Sequence, residues 1–228
     1  MRRLFFLPTT ITYGLFALLF YSVLKHTIYV QLAVVLVFIL VGFVFRRSSV
    51  PHRESSKLGG EIYLSPVHGR VESIRQMIVT PEYPSPCHEV RISMSLIDEK
   101  GLYLPTAGEV TYLKATKGKK IPRNAKEESF YTSVEEISHT DLKLTSKSKI
   151  TYLLRFIDST YSERPVVYLK YGDRGVGAAC FGYYPFGGTL IIYLPQNSDI
   201  LVFDKEKVIP GLTVIAAVKD KKKEEYVT

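Results

Sequence analysis

The chain has 228 residues, 46% of them hydrophobic, enough for one domain with its own core plus an appendage. Its net charge of +8 is scattered among strand-like segments or gathered in Lys117-Gly118-Lys119-Lys120 and at 219–223, with no recognition motif, so nucleic acid is not an expected partner. Two isolated cysteines, Cys87 and Cys180, exclude a disulfide framework and fit a reduced compartment, and neither they nor His52, His68, His88 and His139 show metal-ligand spacing.

Two apolar runs, 4–24 and 28–45, open the chain and are interrupted only by Lys25-His26-Thr27. Each is long enough to span a bilayer as a helix, which predicts a transmembrane hairpin over residues 1–47. A cleaved signal peptide followed by a core helix fits less well, because the first run is long for one and lacks a clear small-residue cleavage site. Arg2-Arg3 and Arg46-Arg47 flank the pair, so the positive-inside rule places both termini and the following domain in the cytoplasm, with two spans between. There the domain faces an anionic leaflet that suits a basic protein.

Residues 48–60 are polar, contain Pro51 and end in Gly59-Gly60, the composition of a linker. Short β-rich runs follow at 61–64, 70–74, 89–96, 109–114, 149–156, 166–171, 189–194, 200–203 and 213–218, which predicts a compact, mainly β domain over 61–218. The polar segment 123–148 has no steady period and reads as an excursion from the β core, with a short helix near 134–137. A charged tail closes the chain at 219–228.

Three phrases recur: Ser65-Pro66-Val67-His68-Gly69-Arg70-Val71, Leu104-Pro105-Thr106-Ala107-Gly108-Glu109-Val110 and Val208-Ile209-Pro210-Gly211-Leu212-Thr213-Val214. Each puts a glycine in a turn that feeds a β-branched strand, as in the hammerhead or barrel-sandwich modules of lipoyl and biotinyl carriers. None offers a plain match to the modifiable lysine at a hairpin tip, so ordinary hairpin turns are the better reading.

The most specific stretch is Tyr184-Pro185-Phe186-Gly187-Gly188-Thr189 followed by Leu190-Ile191-Ile192-Tyr193-Leu194-Pro195. It resembles the self-cleavage site R-F-G-S-x-V-D-x-Y-L-P of the short, membrane-associated phosphatidylserine decarboxylases. The first recurring phrase resembles that family's S-P-A-D-G-[KR]-V, with His68 at the aspartate. The run from Met94 to Gly108 resembles M-S-P-x-D-V-H-x-N-R-x-P-x-x-G, with Lys100 at the histidine, Leu102-Tyr103 at the Asn-Arg pair and Asp98 at an acidic position suited to a turn. Tyr168-Leu169-Lys170-Tyr171-Gly172-Asp173-Arg174, a spacer and Phe181 to Gly188 resemble Y-V-K-x-G-D-R … F-G-x-x-R-F-G-S. The resemblance covers nearly the whole chain and implies a β domain of barrel-sandwich or hammerhead type.

In that family an aspartate, a histidine and a serine act as a protease-like triad: the serine attacks the preceding carbonyl and becomes a pyruvoyl group. Here the three positions are His68, Lys100 and Gly188, and glycine has no β-hydroxyl to attack or eliminate. The resemblance therefore implies a phospholipid-metabolism homologue with a degenerate catalytic site and no pyruvoyl cofactor. It would act by binding membrane phospholipid, such as phosphatidylserine, through His68, Lys100, Gly187 and Gly188, or by associating with its own or another protein. One alternative is an active decarboxylase that makes phosphatidylethanolamine after processing itself at Gly188-Thr189, with His68 as base and Lys100 as amine nucleophile or phosphate-binding cation. A one-residue shift along a strand, however, turns the Thr189 side chain to the other face. The remaining alternatives are a carrier or adaptor module and, for His68 and Lys100, plain solvated turn residues.

Overall fold

A computed structural model describes residues 9–25, 28–44, 46, 60–80, 83–122, 137–160 and 163–219. Arg2-Arg3, His26, Arg47, nearly all of the predicted linker, residues 134–136 of the predicted short helix and the tail after Lys219 lie outside the described residues.

The apolar runs form two helices, α1 (Thr9–Lys25) and α2 (Ile28–Val44), packed against each other. Phe16, Phe20, Leu32, Leu36, Ile39 and Leu40 lie exposed on them. Among the described residues no helix is long and apolar enough to cross a membrane. Each helix has 17 residues, roughly 25 Å at about 1.5 Å per residue against a hydrocarbon core of about 30 Å. The hairpin expected from the sequence is present as helices, but within the described residues it does not reach the length expected of a span.

The rest of the chain is β structure. The strands are β1 (Gly60–Leu64), β2 (Gly69–Thr80), β3 (Tyr83–Ser93), β4 (Gly101–Tyr103), β5 (Gly108–Thr116), β6 (His139–Ser146), β7 (Thr151–Ile157), β8 (Val166–Val167), β9 (Arg174–Gly175), β10 (Cys180–Tyr183), β11 (Thr189–Pro195), β12 (Ser198–Ile200), β13 (Lys207–Val208) and β14 (Val214–Lys219). They make an eight-stranded sheet in the order β13-β2-β3-β11-β7-β6-β5-β9 and two three-stranded sheets, β1-β14-β12 and β4-β10-β8. All the pairings among these strands are antiparallel. The expected mainly β domain is there, but its sheets are open: the large one ends in the two-residue strands β13 and β9 rather than closing into a barrel.

Alternation along β11 explains its central place. Leu190, Ile192 and Leu194 enter the main core with Val90 and Ile92 of β3 and Leu154 and Phe156 of β7, while Ile191 and Tyr193 join Cys87, Leu153 and Ile157 in a second cluster on the other face. Burial pushes the Cys87 thiol up to about 11, so this cysteine packs as a small apolar residue.

The segment read as an excursion is in its second half the internal strand β6, paired to β5 and β7. Its period is two, but only Leu142 and Leu144 supply apolar residues to the core face. The opposite face carries His139, Asp141, Lys143 and Thr145, which masks the strand in a hydropathy reading. Asp141 is nevertheless buried, because Arg155 on β7 meets it with two hydrogen bonds of 2.8 Å and lies 5.8 Å from the Tyr193 ring centroid. Strands β4, β9, β10 and β13 are two to four residues long, too short for a periodic signal, and the expected strand at 166–171 is confined to β8.

Asp141→Ala takes two hydrogen bonds and the facing carboxylate from the buried Arg155 guanidinium and should lower stability by about 3–5 kcal/mol in chemical denaturation. Replacing an exposed partner such as Glu109, paired to Arg174 at 2.7 Å, should cost under about 1 kcal/mol.

Candidate functional site

Register brings the three family-like phrases to one end of the large sheet. Arg70 and Thr189 both pair with Ser93, so the turn before β2, the segment after β3 and the turn before β11 meet there. Two backbone bonds lock the meeting: Met94 N–H donates to the Gly188 carbonyl at 2.9 Å, and Tyr184 N–H donates to the Lys100 carbonyl at 2.8 Å. Gly69 is required at the crossing, since a Cβ there would lie 2.4 Å from the Ser93 carbonyl oxygen.

The segment after β3 begins as a braced turn. Asp98 N–H donates to the Ser95 carbonyl at 3.1 Å, and Ser95 N–H returns a bond of 2.6 Å to Asp98 Oδ2. The second carboxylate oxygen, Oδ1, lies 2.8 Å from His68 Nδ1. Burial favours the neutral Asp98 carboxyl, but the His68 hydrogen bond, the Ser95 amide and the electrostatic pull of His68 and Lys100 outweigh it and hold Asp98 below the usual carboxylate value. An ionised Asp98 can only accept, which makes His68 Nδ1 the donor and leaves Nε2 as the other ring nitrogen. His68 thus has a carboxylate partner that no spacing argument revealed, because 30 residues of chain separate the two.

Lys100 is not a solvated turn residue. It is fully buried, and its ammonium donates to the Ser95 carbonyl at 2.5 Å, so it fastens the same turn from within. Neighbouring Glu99 is buried too and accepts a hydrogen bond from Tyr103, one of the two residues that replace the family's Asn-Arg pair.

Gly188 carries the main finding. A Cβ on it would lie 2.5 Å from both Cζ and the hydroxyl oxygen of Tyr184. That ring is not free to swing away: it is completely buried, packs edge-on against Phe156 at 6.0 Å between centroids, and donates its hydroxyl hydrogen to the Ile157 carbonyl. Tyr184 therefore fills the place of the side chain that the family's serine would have. The turn is bent to suit, with left-handed φ of +60° at Phe186 and +75° at Gly187, where a Cβ would meet the Met94 carbonyl oxygen at 2.7 Å. Position 188 has no hydroxyl from which a pyruvoyl group could be made, and the Tyr184 ring occupies the space a Cβ would take.

Thr189 is buried on the face of β11 that carries Ile191 and Tyr193, whereas a Cβ on Gly188 would point toward the main-core ring of Tyr184. Among the described residues no hydrogen bond joins Thr189 or Gly188 to the His68–Asp98 pair. No group of three or more His, Cys, Asp or Glu among the described residues is placed to hold a metal ion.

Asp98 gives a pH test. Its folded pKa is depressed, so its contribution is present above the ordinary Asp pKa and lost as pH falls through the lower, folded value. Hydrogen-exchange protection of the Ser95 amide should hold above about pH 4 and decline below it. Asp98→Ala should remove that protection at every pH.

No family model matches the chain. Individual relatives do. The chain is 29% identical over 168 residues to the phosphatidylserine decarboxylase proenzyme of Amoebophilus asiaticus, covering 72% of this chain and 71% of the relative. It is 23% identical over 200 residues to the proenzyme of the same name from Parabacteroides distasonis, covering 87% of each. It is 25% identical over 182 residues to a putative archaetidylserine decarboxylase proenzyme of Methanocaldococcus jannaschii, covering 73% of this chain and 85% of the relative. With the three family phrases converging on one end of the sheet, these matches support membership of the phosphatidylserine decarboxylase family.

Proposed function

We propose that this family member works in phospholipid metabolism without the family's self-processing, as a membrane-associated protein that binds phospholipid headgroups at the sheet end carrying His68. The observation that carries the reading is the buried Tyr184 ring in the side-chain space of position 188. Substituting one residue removes a nucleophile; filling its place with a locked aromatic ring removes the room for one. Association with the bilayer is supported by the apolar helices α1 and α2, whose phenylalanines and leucines stay exposed where they do not meet each other. In this reading the hairpin is the anchor and the β domain with both termini is cytoplasmic, following the arginine flanks.

At the sheet end a headgroup meets His68 first. Lys100, Gly187 and Gly188 are buried, whereas His68 is only half-buried. Asp98 orients the imidazole through Nδ1, so the imidazolium form of His68 has its Nε2–H left to donate to a phosphate or carboxylate.

A second reading keeps the enzyme. The Gly188 carbonyl accepts the Met94 N–H, a bond that would polarise it toward attack by the adjacent Thr189 hydroxyl. The position of Thr189 on the opposite face speaks against that attack.

Intact mass of the chain expressed in membranes separates the two. A single unbroken chain, unchanged by Thr189→Ala, is the expected result; two fragments joined at Gly188-Thr189 and abolished by that substitution would establish processing. Gly188→Ser should also stay unbroken and lose about 1–3 kcal/mol of stability from overpacking against Tyr184. For the binding role, glycerophosphoserine titrated into the detergent-solubilised chain should shift the His68 ring resonances. An unmoved imidazole would refute headgroup binding at this site.

A further inference from the structure

The sheet end that carries His68 has an apolar rim. The braced turn from Ser95 to Asp98 presents Leu96, 52% exposed, and Ile97, 68% exposed, at positions where turns ordinarily carry polar residues. Its hydrogen bonds hold the backbone, so neither side chain can fold back toward the core: Ile97 N–H reaches Ser95 Oγ at 3.4 Å, besides the two bonds between Ser95 and Asp98.

A second turn stands beside it. Val208 pairs with Gly69, which sets Ile209 next to His68, and Ser65 N–H donates to the Thr213 carbonyl at 2.8 Å, which ties down the far side of the same turn. This turn presents Ile209, 40% exposed, and Leu212, 44% exposed. The His68–Asp98 hydrogen bond ties the first turn to the turn before β2, and the Gly69–Val208 pair and the Ser65–Thr213 bond tie that same turn to the second. Four large aliphatic side chains are thereby gathered at one end of the sheet, where singly scattered ones would need no explanation.

Charge says what covers them. Arg70 and Lys207 are register partners immediately behind the Gly69–Val208 pair, both are exposed, and among the described residues neither makes an ion pair. Like charges directly opposite on an antiparallel pair repel each other, a cost that an anionic surface removes. Aliphatic tips with cations at their margin match the interfacial zone of an anionic bilayer, and the chain already carries two apolar helices that suit the same solvent.

We propose that the β domain docks on an anionic phospholipid surface through the Ser95–Asp98 and Ile209–Leu212 turns, with their tips in the headgroup region and Arg70 and Lys207 on lipid phosphates. This rests on the membrane-associated reading above and adds the orientation: the sheet end bearing His68 faces the lipid, and the opposite end faces water.

The chain contains no tryptophan, so a single indole is a clean reporter. The full chain carrying Ile97→Trp is placed in nanodiscs of phosphatidylcholine and phosphatidylglycerol, with dibrominated phosphatidylcholine as the buried quencher and acrylamide as the aqueous one. Tyr171→Trp is the reference. Tyr171 is 79% exposed, and its turn bonds to Val110, near the end of the sheet opposite the rim. Docking predicts roughly twofold loss of emission by bromolipid for the Ile97→Trp indole and protection from acrylamide, with the reverse for Tyr171→Trp. Leu212→Trp, on the neighbouring turn, must report the same as Ile97→Trp.

Equal acrylamide access at all three positions with no bromolipid quenching would overturn the proposal. Protection from acrylamide without bromolipid quenching would overturn it in favour of a second copy of the chain covering the rim. The glycerophosphoserine titration reads His68 independently: a silent imidazole beside a quenched Ile97→Trp indole would remove the headgroup reading and leave the docking surface in place.

Discussion

Strand β11 is buried on both faces and paired on both edges, and the site follows from that confinement. Its core-facing leucines and isoleucine require β3 and β7 at its sides. Its first residue, Thr189, is then fixed opposite Ser93, which leaves Gly188 no place but beside Met94. Everything at that end of the sheet is built outward from this register: the left-handed turn at Phe186 and Gly187, the close crossing at Gly69 and the braced turn at Asp98. A slip of one residue would exchange the two faces of β11, sending the Thr189 hydroxyl into the core and Leu190 out of it.

Within that frame the three residues at the family's chemical positions have taken up structural duties. Lys100 closes the turn from inside, His68 closes it from outside through Asp98, and Gly188 admits the Tyr184 ring. These roles support one another. Tyr184 donates its backbone N–H to the Lys100 carbonyl and its hydroxyl hydrogen to the Ile157 carbonyl, so the ring, the buried lysine and the end of β7 form one packed unit. An interior of this density accepts a new side chain only by moving several old ones. The frame of strands and turns does not by itself fix the chemistry of the site it carries.

The buried charges divide by the same logic. Arg155 and Asp141 neutralise each other on the second face of the large sheet, where removing either takes two 2.8 Å hydrogen bonds from the other's buried charge. Asp98 keeps its charge nearer the surface, held by an amide and an imidazole. The first pair orders the sheet; the second holds the turn that carries the exposed rim.

The sequence by itself determined the two apolar helices, the mainly β domain and most of the long strands, because hydropathy runs and period-two patterns are local signals written in consecutive residues. It also determined that position 188 lacks a β-hydroxyl, since that is a fact of composition at one aligned place. Strand β6 escaped because its outward face is polar and is neutralised by Arg155, 14 residues away from Asp141. Only the tertiary structure decided that Lys100 is buried, that His68 pairs with Asp98 and that Tyr184 lies over Gly188. Each of these is a contact between side chains or backbones that the sheet register brings together, and no spacing along the chain encodes it. The open sheets were likewise settled in three dimensions, because closure depends on which strands end up at the edges, and two-residue strands such as β13 and β9 leave no periodic trace.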